Sequence, residues 1–334
     1  MNDMFSGKKV LITGGTGTLG KALTKKILES DVDTIRIFSR DEWKQTQMYE
    51  EFEGEQRLRF LIGDIRDKER LNRALKDINI VFHTAALKHV PVAEYNPFEA
   101  VKTNIYGAQN VIDSCLEQNV QKVIAVGTDK AVAPLNTYGA TKMLMERLFV
   151  AANNYQGKTN FVCVRYGNVL GSRGSIVPIF VNQIKEKNKV TITDPTMTRF
   201  NIVMREALDL VFRALKNGSG GEVFIPKLKA YKTGDMKDAI IEVLNSSCTT
   251  EKIPVRPGEK YHESLISDDE LRKVYEIEND YVIVEQATQS YDVKKEEINL
   301  KKADLRERYS SNLVPLLSKN ELKEILIKEK LIVN

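Results

Sequence analysis

The fold is decided by the stretch Lys9-Val10-Leu11-Ile12-Thr13-Gly14-Gly15-Thr16-Gly17-Thr18-Leu19-Gly20. Its first five residues are a β-branched apolar run that predicts a buried strand, and residues 19–30 place apolar side chains at helical spacing. Between them, glycines at 14, 17 and 20 suit a backbone that turns sharply, approaches a pyrophosphate and packs closely on its neighbour. A helix that begins directly after such a turn offers free N–H groups to phosphates. The unit therefore predicts a dinucleotide site, although a plain strand–helix turn would share its glycines.

The remainder of the first half repeats this alternation of strand and helix. Helical patterns at 98–118 and 138–155 separate runs of strand length. Strands that alternate with helices predict an α/β fold with a Rossmann-type, doubly wound parallel sheet. We assign residues 1–166 and returning segments near 200–226 to this domain, and residues 167–199 and 227–334 to a smaller C-terminal lobe over the carboxyl ends of the strands. The further strand-length runs cover residues 34–38, 58–62, 80–83, 122–126 and 161–165.

The composition excludes several classes of protein. Among 334 residues, 50 Lys and Arg against 46 Asp and Glu leave a net charge of +4, too small and too dispersed for a nucleic-acid-binding surface. No apolar run approaches the ~20 residues of a membrane span, and the N-terminus lacks the pattern of a signal peptide. Three widely spaced cysteines, at 115, 163 and 248, form neither a metal-ligand spacing nor a disulfide framework. We expect a protein of the reducing cytoplasm with no nucleic-acid, membrane or metal partner.

Cofactor preference is expected at the end of the second strand, where the sequence reads Ser39-Arg40-Asp41. An acidic residue here would bind a ribose 2′-hydroxyl, whereas an arginine accommodates a 2′-phosphate. Ser39 and Arg40 precede Asp41 at the end of this strand, and this order of residues favours NADP. The adjacent Asp41 leaves NAD as the alternative. Asp64 and Ile65 follow the third strand, at a position that can contact the adenine of the cofactor. Alternatively, the Asp64 carboxylate caps the next helix.

A tyrosine and a lysine lie four residues apart, at Tyr138 and Lys142. On a helix this spacing places both side chains on one face, where the ammonium lowers the pKa of the phenol and makes it a usable base. Thr128 lies upstream, just after the fifth strand, where its hydroxyl can bridge tyrosine and substrate. Asp129 and Lys130 follow it and are either a loop ion pair or an added acid and base. An added acid and base allow the elimination of a hydroxyl next to a new ketone.

The order of glycine turn, post-strand threonine and Tyr-x-x-x-Lys resembles the extended short-chain dehydrogenase/reductase superfamily, and the resemblance covers essentially the whole chain. Longer strings are similar to the inverting UDP-N-acetylglucosamine 4,6-dehydratases, of the type that opens pseudaminic acid synthesis. Lys130 indicates the inverting branch, since retaining sugar-nucleotide dehydratases have Asp-Glu at this pair. The strings that carry the resemblance are Ala85–Pro91, Val92–Pro97, Thr128–Ala131, Arg165–Val169, Gly171–Ser175 and Met197–Phe200.

The resemblance implies a lyase that binds NADP, acts on UDP-N-acetylglucosamine and assembles as a homo-oligomer, a dimer or a hexamer. Tyr138 would remove the proton of the sugar 4-hydroxyl while C4 gives hydride to NADP+. Lys130 would remove the C5 proton, and Asp129 would protonate the departing 6-hydroxyl. Hydride then returns to C6, and C5 is reprotonated on its opposite face. The implied product is UDP-2-acetamido-2,6-dideoxy-β-L-arabino-hex-4-ulose, for nucleotide-sugar and surface or flagellin glycan synthesis.

The resemblance also places three groups of residues in the site, and it implies no metal. The catalytic group is Thr128, Asp129, Lys130, Tyr138 and Lys142. The cofactor group is Gly14, Thr16, Gly17, Thr18, Leu19, Gly20, Ser39, Arg40, Asp64, Ile65, Ala85, Ala86, Lys88, Asn104, Tyr138 and Lys142. The group that binds the UDP-sugar, largely from the smaller lobe, is Lys88, Asn168, Arg173, Val177, Thr198, Arg199, Arg256 and Glu259.

Three alternatives stay open at this point. A UDP-sugar 4-epimerase uses the same cofactor without elimination, and the Asp129-Lys130 pair argues against it. A non-catalytic dinucleotide-sensing regulator would not need Tyr138, Lys142 or that pair. A dehydratase could also release the 5,6-ene or the D-xylo ketone, and Asn201, where related sequences often have tryptophan, leaves this outcome open.

Overall fold

Strands and helices alternate along most of the chain in this computed structural model, which describes residues 2–155, 157–284 and 300–332. The strands are β1 (Lys9–Thr13), β2 (Thr34–Ser39), β3 (Leu58–Ile62), β4 (Ile80–His83), β5 (Lys122–Val126), β6 (Asn160–Val164), β7 (Lys189–Ile192), β8 (Thr198–Phe200), β9 (Glu222–Pro226), β10 (Ala230–Lys232), β11 (Thr249–Lys252), β12 (Ser264–Ile266), β13 (Val274–Ile277), β14 (Asp280–Val284), β15 (Lys301–Lys302) and β16 (Tyr309–Ser310). The α-helices are α1 (Asn2–Phe5), α2 (Thr18–Leu28), α3 (Glu42–Glu51), α4 (Lys68–Leu75), α5 (Val90–Tyr95), α6 (Pro97–Val101), α7 (Gly107–Glu117), α8 (Thr137–Ala151), α9 (Ile176–Lys187), α10 (Met204–Asn217), α11 (Thr233–Val243) and α12 (Lys319–Lys328). A π-helical turn, Lys102–Tyr106, joins α6 to α7, and 3-10 helices cover Asp129–Ala131, Ala152–Asn154 and Asp268–Lys273.

Parallel strands form the centre of the main sheet, in the order β9-β6-β5-β4-β1-β2-β3. β1 pairs with β2 on one side and with β4 on the other, so the direction of winding reverses between β1 and β4. In open α/β sheets the ligand crevice lies outside the carboxyl ends of the strands at this point. The predicted Rossmann-type, doubly wound α/β fold is confirmed.

Helices cover both faces of this sheet, which explains why its strands are continuously apolar. Leu11 belongs to one apolar cluster together with Phe149 of α8. Its neighbours Val10 and Ile12 point to the opposite face and join a second cluster with Leu23 of α2. Because both clusters exclude water, burial of each such side chain stabilises the fold by roughly 1.5–3 kcal/mol.

Three antiparallel strands from the C-terminal part extend the sheet beyond β9. β14 pairs with β9 from Asp280 opposite Pro226 to Val284 opposite Glu222, and β13 and β15 follow outward. The sequence predicts that residues 227–334 belong to the smaller lobe, whereas β13, β14 and β15 belong to the main sheet. They pair there because an uncovered β9 would expose a row of unpaired N–H and C=O groups. Residues 285–299 of that range lie outside the described residues, and the other domain boundaries stay a prediction.

The smaller lobe has its own apolar cluster, to which α9, α11 and α12 contribute. Two-stranded sheets join β7 to β11, β8 to β10 and β12 to β16. Lys260 Nζ, from the loop before β12, donates to the carbonyl of Val132 at 2.6 Å and so ties this lobe to the segment that follows β5. The lobe therefore reaches the carboxyl ends of the central strands. None of the described helices is long and apolar enough to cross a membrane.

Candidate active site

The glycine turn joins β1 to α2 as the sequence predicts. Gly14 has φ +66°, and a Cβ at this position would lie 2.8 Å from Ala85 Cα, which is too close for any side chain. α2 begins at Thr18, and its N-cap, Gly17, has no side chain to satisfy the first amides of the helix. The turn thus presents backbone N–H groups and a helix N-terminus, an arrangement that fits the pyrophosphate of a dinucleotide.

A cleft of about 740 Å³, open to solvent, lies over this turn, and we call it the cofactor cleft. Arg173, which the resemblance assigned to the UDP-sugar, lines this cleft instead. Thr18, Leu19 and Gly20 form the first turn of α2 at its edge. The predicted cofactor residues that line the cleft are Gly14, Thr16, Gly17, Ser39, Arg40, Asp64, Ile65, Ala85 and Ala86, and Phe38, Asp41, Lys44, Gly63 and Thr103 join them.

The charged side chains of this cleft differ in how strongly they are paired. Asp41 caps α3: its carboxylate accepts from Lys44 N–H at 3.1 Å and from Lys44 Nζ at 2.5 Å. Burial alone would raise the pKa of Asp64, but hydrogen bonds from Arg66 outweigh it and lower that pKa. Arg40 lies 3.6 Å from Asp64 and its side chain is 59% exposed. A cation thus remains accessible at the end of β2, while the neighbouring acid is engaged by Lys44.

Asn104 and Lys88 do not line the cofactor cleft. Asn104 is buried, and its amide exchanges hydrogen bonds with the backbone of Leu87 at 2.8 and 3.0 Å and donates to Thr141 Oγ1 at 3.0 Å. It therefore fixes the loop after β4 to α8. Lys88 Nζ donates to the carbonyl of Arg173 at 3.2 Å, and Arg173 itself lines the cofactor cleft.

The predicted acid–base pair lies after β5, at the start of a 3-10 helix. The Thr128 hydroxyl donates to Asp129 Oδ1 at 2.9 Å, and Lys130 Nζ donates to the same oxygen at 3.0 Å. Lys130 Nζ also donates to Asn168 Oδ1 at 3.0 Å, which connects the pair to the segment after β6. Asp129 is 2% exposed, so this ion pair is shielded from bulk water. The sequence-predicted residues Thr128, Asp129, Lys130 and Asn168 thus meet at one point.

Helix α8 places Tyr138 and Lys142 on one buried face, as their spacing predicts. Burial raises the pKa of Tyr138, and the ammonium of Lys130 and a hydrogen bond with Thr128 oppose that rise. The cation that favours the phenolate is therefore Lys130, whereas the sequence predicted Lys142. Lys142 Nζ instead donates to the carbonyl of Val126 at 2.6 Å, and burial lowers the pKa of Lys142 to about 8.

A second cleft, the substrate cleft, opens on the smaller lobe. Arg199 pairs there with Glu259 at 3.3 Å, and Arg256 lines the same wall. Apolar side chains from α9 and β7 also line the cleft, so it combines cations with an apolar surface. Such a cleft suits an anionic ligand that carries a flat ring. The predicted residues that line it are Asn168, Arg199, Arg256 and Glu259.

Two predicted substrate residues lie behind the substrate cleft rather than in it. Val177 is fully buried in the apolar cluster of the smaller lobe. Thr198 is 3% exposed, and its hydroxyl is bonded to His262 Nδ1 at 2.8 Å and to Ser311 Oγ at 2.7 Å. Their side chains therefore support the wall of the cleft.

Sequence reasoning missed Glu263 as a residue of the site. Its carboxylate is buried and interacts with the charges of Asp129 and Lys130. The available signal was weak: a glutamate three residues after Lys260, directly before the short strand β12. Only the packing of β12 against the 3-10 helix after β5 brings Glu263 to the acid–base pair.

Comparison with known proteins gives a family and several relatives. The family model described as polysaccharide biosynthesis protein matches residues 10–285. An inverting UDP-N-acetylglucosamine 4,6-dehydratase from Campylobacter jejuni subsp. jejuni is 50% identical over 284 residues, 84% of either chain. A UDP-glucose 4-epimerase from Rickettsia bellii is 41% identical over 330 residues, 97% of this chain and 96% of the other. The X-ray structure of Pen from Bacillus thuringiensis has a TM-score of 0.90 at 41% identity, covering 98% of this chain and 99% of that one.

Proposed function

This chain belongs to the polysaccharide biosynthesis protein family and has the fold of the short-chain dehydrogenase/reductases, and from that premise we propose that it is a UDP-N-acetylglucosamine 4,6-dehydratase that inverts C5. The predicted resemblance to the inverting dehydratases is confirmed by the Campylobacter relative. The proposed enzyme is a hydro-lyase that converts UDP-N-acetylglucosamine to UDP-2-acetamido-2,6-dideoxy-β-L-arabino-hex-4-ulose, for nucleotide-sugar and glycan synthesis.

One observation carries this proposal. The Asp129–Lys130 ion pair, with 3.0 Å between Lys130 Nζ and Asp129 Oδ1, lies beside the buried Tyr138 at the carboxyl ends of the central strands. Oxidation of the 4-hydroxyl needs a hydride acceptor, which the dinucleotide would supply, and one base, which Tyr138 supplies. Elimination needs in addition an acid at the C6 oxygen and a base at the C5 proton. The pair supports that second reaction.

The residues of the site divide the reaction among them. When bound, NADP supplies the chemistry of accepting a hydride from C4 and returning it to C6. Tyr138 takes the proton of the 4-hydroxyl, with the Thr128 hydroxyl next to the phenol. Lys130 takes the C5 proton, which the 4-ketone makes acidic, while Asp129 protonates the 6-hydroxyl as the C6–O bond breaks and water leaves. A proton then adds to C5 from the opposite face, which inverts that carbon.

The hydrogen bond within the pair explains how one ion pair supplies both an acid and a base. Burial would lower the pKa of Lys130, but the negative charges of Asp129 and Glu263 outweigh it and raise that pKa, so Lys130 is an ammonium. Transfer of one proton along the 3.0 Å bond turns Lys130 into a neutral amine and Asp129 into a carboxylic acid. A substrate that covers the pair excludes water and favours these neutral forms.

The charges of the cofactor cleft support NADP over NAD. Arg40, Lys44 and Arg173 are cations in its wall, and the Asp41 carboxylate is engaged by Lys44. A 2′-phosphate would therefore meet cations at the end of β2, whereas a free acid for a 2′-hydroxyl is not at that position. Backbone amides of the glycine turn would bind the pyrophosphate, and Lys142 the adjacent ribose.

Self-association is part of the proposal. Tyr95, Phe98 and Tyr106 are 89%, 61% and 58% exposed on consecutive helical segments, which supports a homo-oligomer, a dimer or a hexamer. A cytoplasmic location is part of the same proposal. Sedimentation of the purified chain tests this assembly, and a single monomeric species would contradict it.

A UDP-sugar 4-epimerase is the second candidate, because relatives of that name match nearly the full length of the chain. The two reactions share Tyr138, the cofactor and the oxidation of C4. They differ in elimination and in the carbon that receives the hydride, which is C4 in an epimerase and C6 in the dehydratase. They give different products: a 4-epimerase yields the galacto sugar with its 6-hydroxyl, whereas the dehydratase yields a C6 methyl group.

Proton NMR of the purified protein with UDP-N-acetylglucosamine in heavy water distinguishes these candidates. We expect a new C6 methyl signal, deuterium at C5 and the couplings of the L-arabino ketone. A vinyl signal would indicate release of the 5,6-ene, and the D-xylo couplings would indicate retention at C5. Appearance of the galacto sugar without a methyl group would contradict the proposal in favour of an epimerase. Absence of any turnover would favour another substrate or a dinucleotide-sensing regulator.

A further inference from the structure

Glu263 is a buried carboxylate that the proposed steps do not use directly. Its N–H donates to Ser311 Oγ at 3.0 Å and its carbonyl accepts from Ser311 N–H at 2.8 Å, which fixes its backbone beside the sheet of β12 and β16. The residue is 3% exposed, and within the described residues Oε2 has no hydrogen-bond partner. A buried carboxylate oxygen without a partner destabilises a fold, so its presence indicates a role in the site.

Charged groups from several elements face this carboxylate. Asp129 and Lys130 do so from the 3-10 helix after β5, Arg199 from β8 and Lys260 from the loop before β12. Lys260 is itself bonded to the carbonyl of Val132, directly after that 3-10 helix. Both lobes therefore contribute to one cluster of charges. The titratable groups that interact with Lys130 at its other sides are those of Lys88, Tyr138 and Tyr231.

We propose that Glu263 is a positioning residue that controls the charge of the Asp129–Lys130 pair, because it brings a second carboxylate to the same ammonium. This proposal rests on the proposed function, in which the pair exchanges a proton during each turnover. The charge of Glu263 favours the Lys130 ammonium. In the reverse direction, burial and the charge of Asp129 raise the pKa of Glu263. Glu263 and Lys130 thus affect each other's protonation, so a change at Glu263 alters the proton equilibrium of the lysine that acts in elimination.

Substitution of Glu263 by glutamine tests this control. Removal of a negative charge favours the deprotonated form of every titratable neighbour. Both limbs of the pH profile of kcat for elimination therefore move to lower pH in Glu263→Gln, whichever member of the pair acts as acid and whichever as base. We expect a displacement of about 1 pH unit, since the amide keeps the size of the side chain and removes only its charge.

Two variants control for structural effects. Glu263→Asp keeps the charge, and we expect its pH profile to stay with that of the wild type. Glu222→Gln removes another carboxylate that is 3% exposed, but this one is bonded to Ser219, so its profile is expected to be unchanged. An unmoved profile in Glu263→Gln, or an equal displacement in Glu263→Asp or Glu222→Gln, overturns the proposal.

A titration without substrate tests the same contact apart from the proposed function. Glutamate carboxyl carbons are labelled with 13C, and the Glu263 signal is assigned by its loss in Glu263→Asp. We expect this signal to titrate above the usual range of glutamate, and about 1 pH unit lower in Asp129→Asn than in the wild type. An unchanged midpoint overturns the role of Glu263 even where the methyl product forms. A shifted midpoint supports it, and absence of the methyl product then counts against the proposed function alone.

Discussion

The cofactor cleft and the substrate cleft are built from the sequence in different ways. Most of the cofactor cleft comes from residues 14–65, which are consecutive strands and the turns after them. The substrate cleft draws on four separate stretches between residues 168 and 259, which side-chain contacts such as Arg199–Glu259 hold together. The sheet and the turns after its strands position most of the first cleft, whereas the second exists only after remote segments pack. Substitutions in the first are therefore expected to act locally, and those in the second also through packing.

The largest effect is expected at the Asp129–Lys130 pair, which is bonded to Asn168 in the wall of the substrate cleft. In Asp129→Ala and in Lys130→Ala, elimination falls by about 10²–10⁴-fold, because the acid or the base of that step is lost. Dinucleotide binding is expected to stay intact, since neither side chain lines the cofactor cleft. The C6 methyl signal measures elimination, and nicotinamide fluorescence measures binding. Retained elimination in both variants would contradict the roles given to this pair.

Arg165 lies outside both clefts and bonds α8 to the 3-10 helix after β12, so it tests how much packing of remote segments contributes to stability. Its guanidinium is 3% exposed and is bonded to Glu146 of α8 and to Glu270 of the 3-10 helix that follows β12. In Arg165→Met the free energy of unfolding is expected to fall by about 3–5 kcal/mol, because two carboxylates lose their cation in a buried position. Denaturant unfolding measures this change.

Arg205→Met provides the matched control for Arg165→Met. The Arg205 side chain is 63% exposed and lies 4.0 Å from Asp209, so its loss is expected to change the free energy of unfolding by less than about 0.5 kcal/mol. Equal effects of the two substitutions would contradict the stabilising role given to this buried network.

Arg256 tests whether the two clefts bind their ligands independently of each other. In Arg256→Ala the KM for UDP-N-acetylglucosamine is expected to rise by about 10–100-fold, because a hydrogen-bonded cation for the diphosphate is lost. The Kd of NADP is expected to stay unchanged. Initial rates and fluorescence titration give the two constants, and equal weakening of both ligands would argue that the clefts are not independent.

Substitution of Arg40, which lines the cofactor cleft, gives the smallest expected effect. In Arg40→Ala the preference for NADP over NAD is expected to fall by about fivefold, since a side chain that is 59% exposed is screened by water and salt. Parallel titrations with the two dinucleotides measure the ratio. A loss of affinity that is the same for both would assign Arg40 to the adenine or the pyrophosphate.

The same contrast explains what the sequence could predict. The alternation of strands, the glycine turn after β1 and the Tyr138–Lys142 spacing depend on local periodicity, and the structure contains each of them. Glu263 could not be predicted, because its place beside Asp129 follows from long-range packing of β12. The electrostatics of Tyr138 were likewise hidden, since the distance along the chain favours Lys142 while the fold brings Lys130 to the phenol. The extension of the sheet by β13, β14 and β15 depends in the same way on which strand covers the edge of β9.

An isotope tracer tests the central claim, that one site oxidises C4 and delivers the same hydride to C6. UDP-N-acetylglucosamine with deuterium at C4 is incubated with the purified protein in ordinary water, and the product is examined by NMR and mass spectrometry. The account predicts that the deuterium moves to C6, which gives a CH2D methyl group and a product of unchanged label content. Deuterium that stays at C4 in a galacto sugar, or a product without a methyl group, would contradict it.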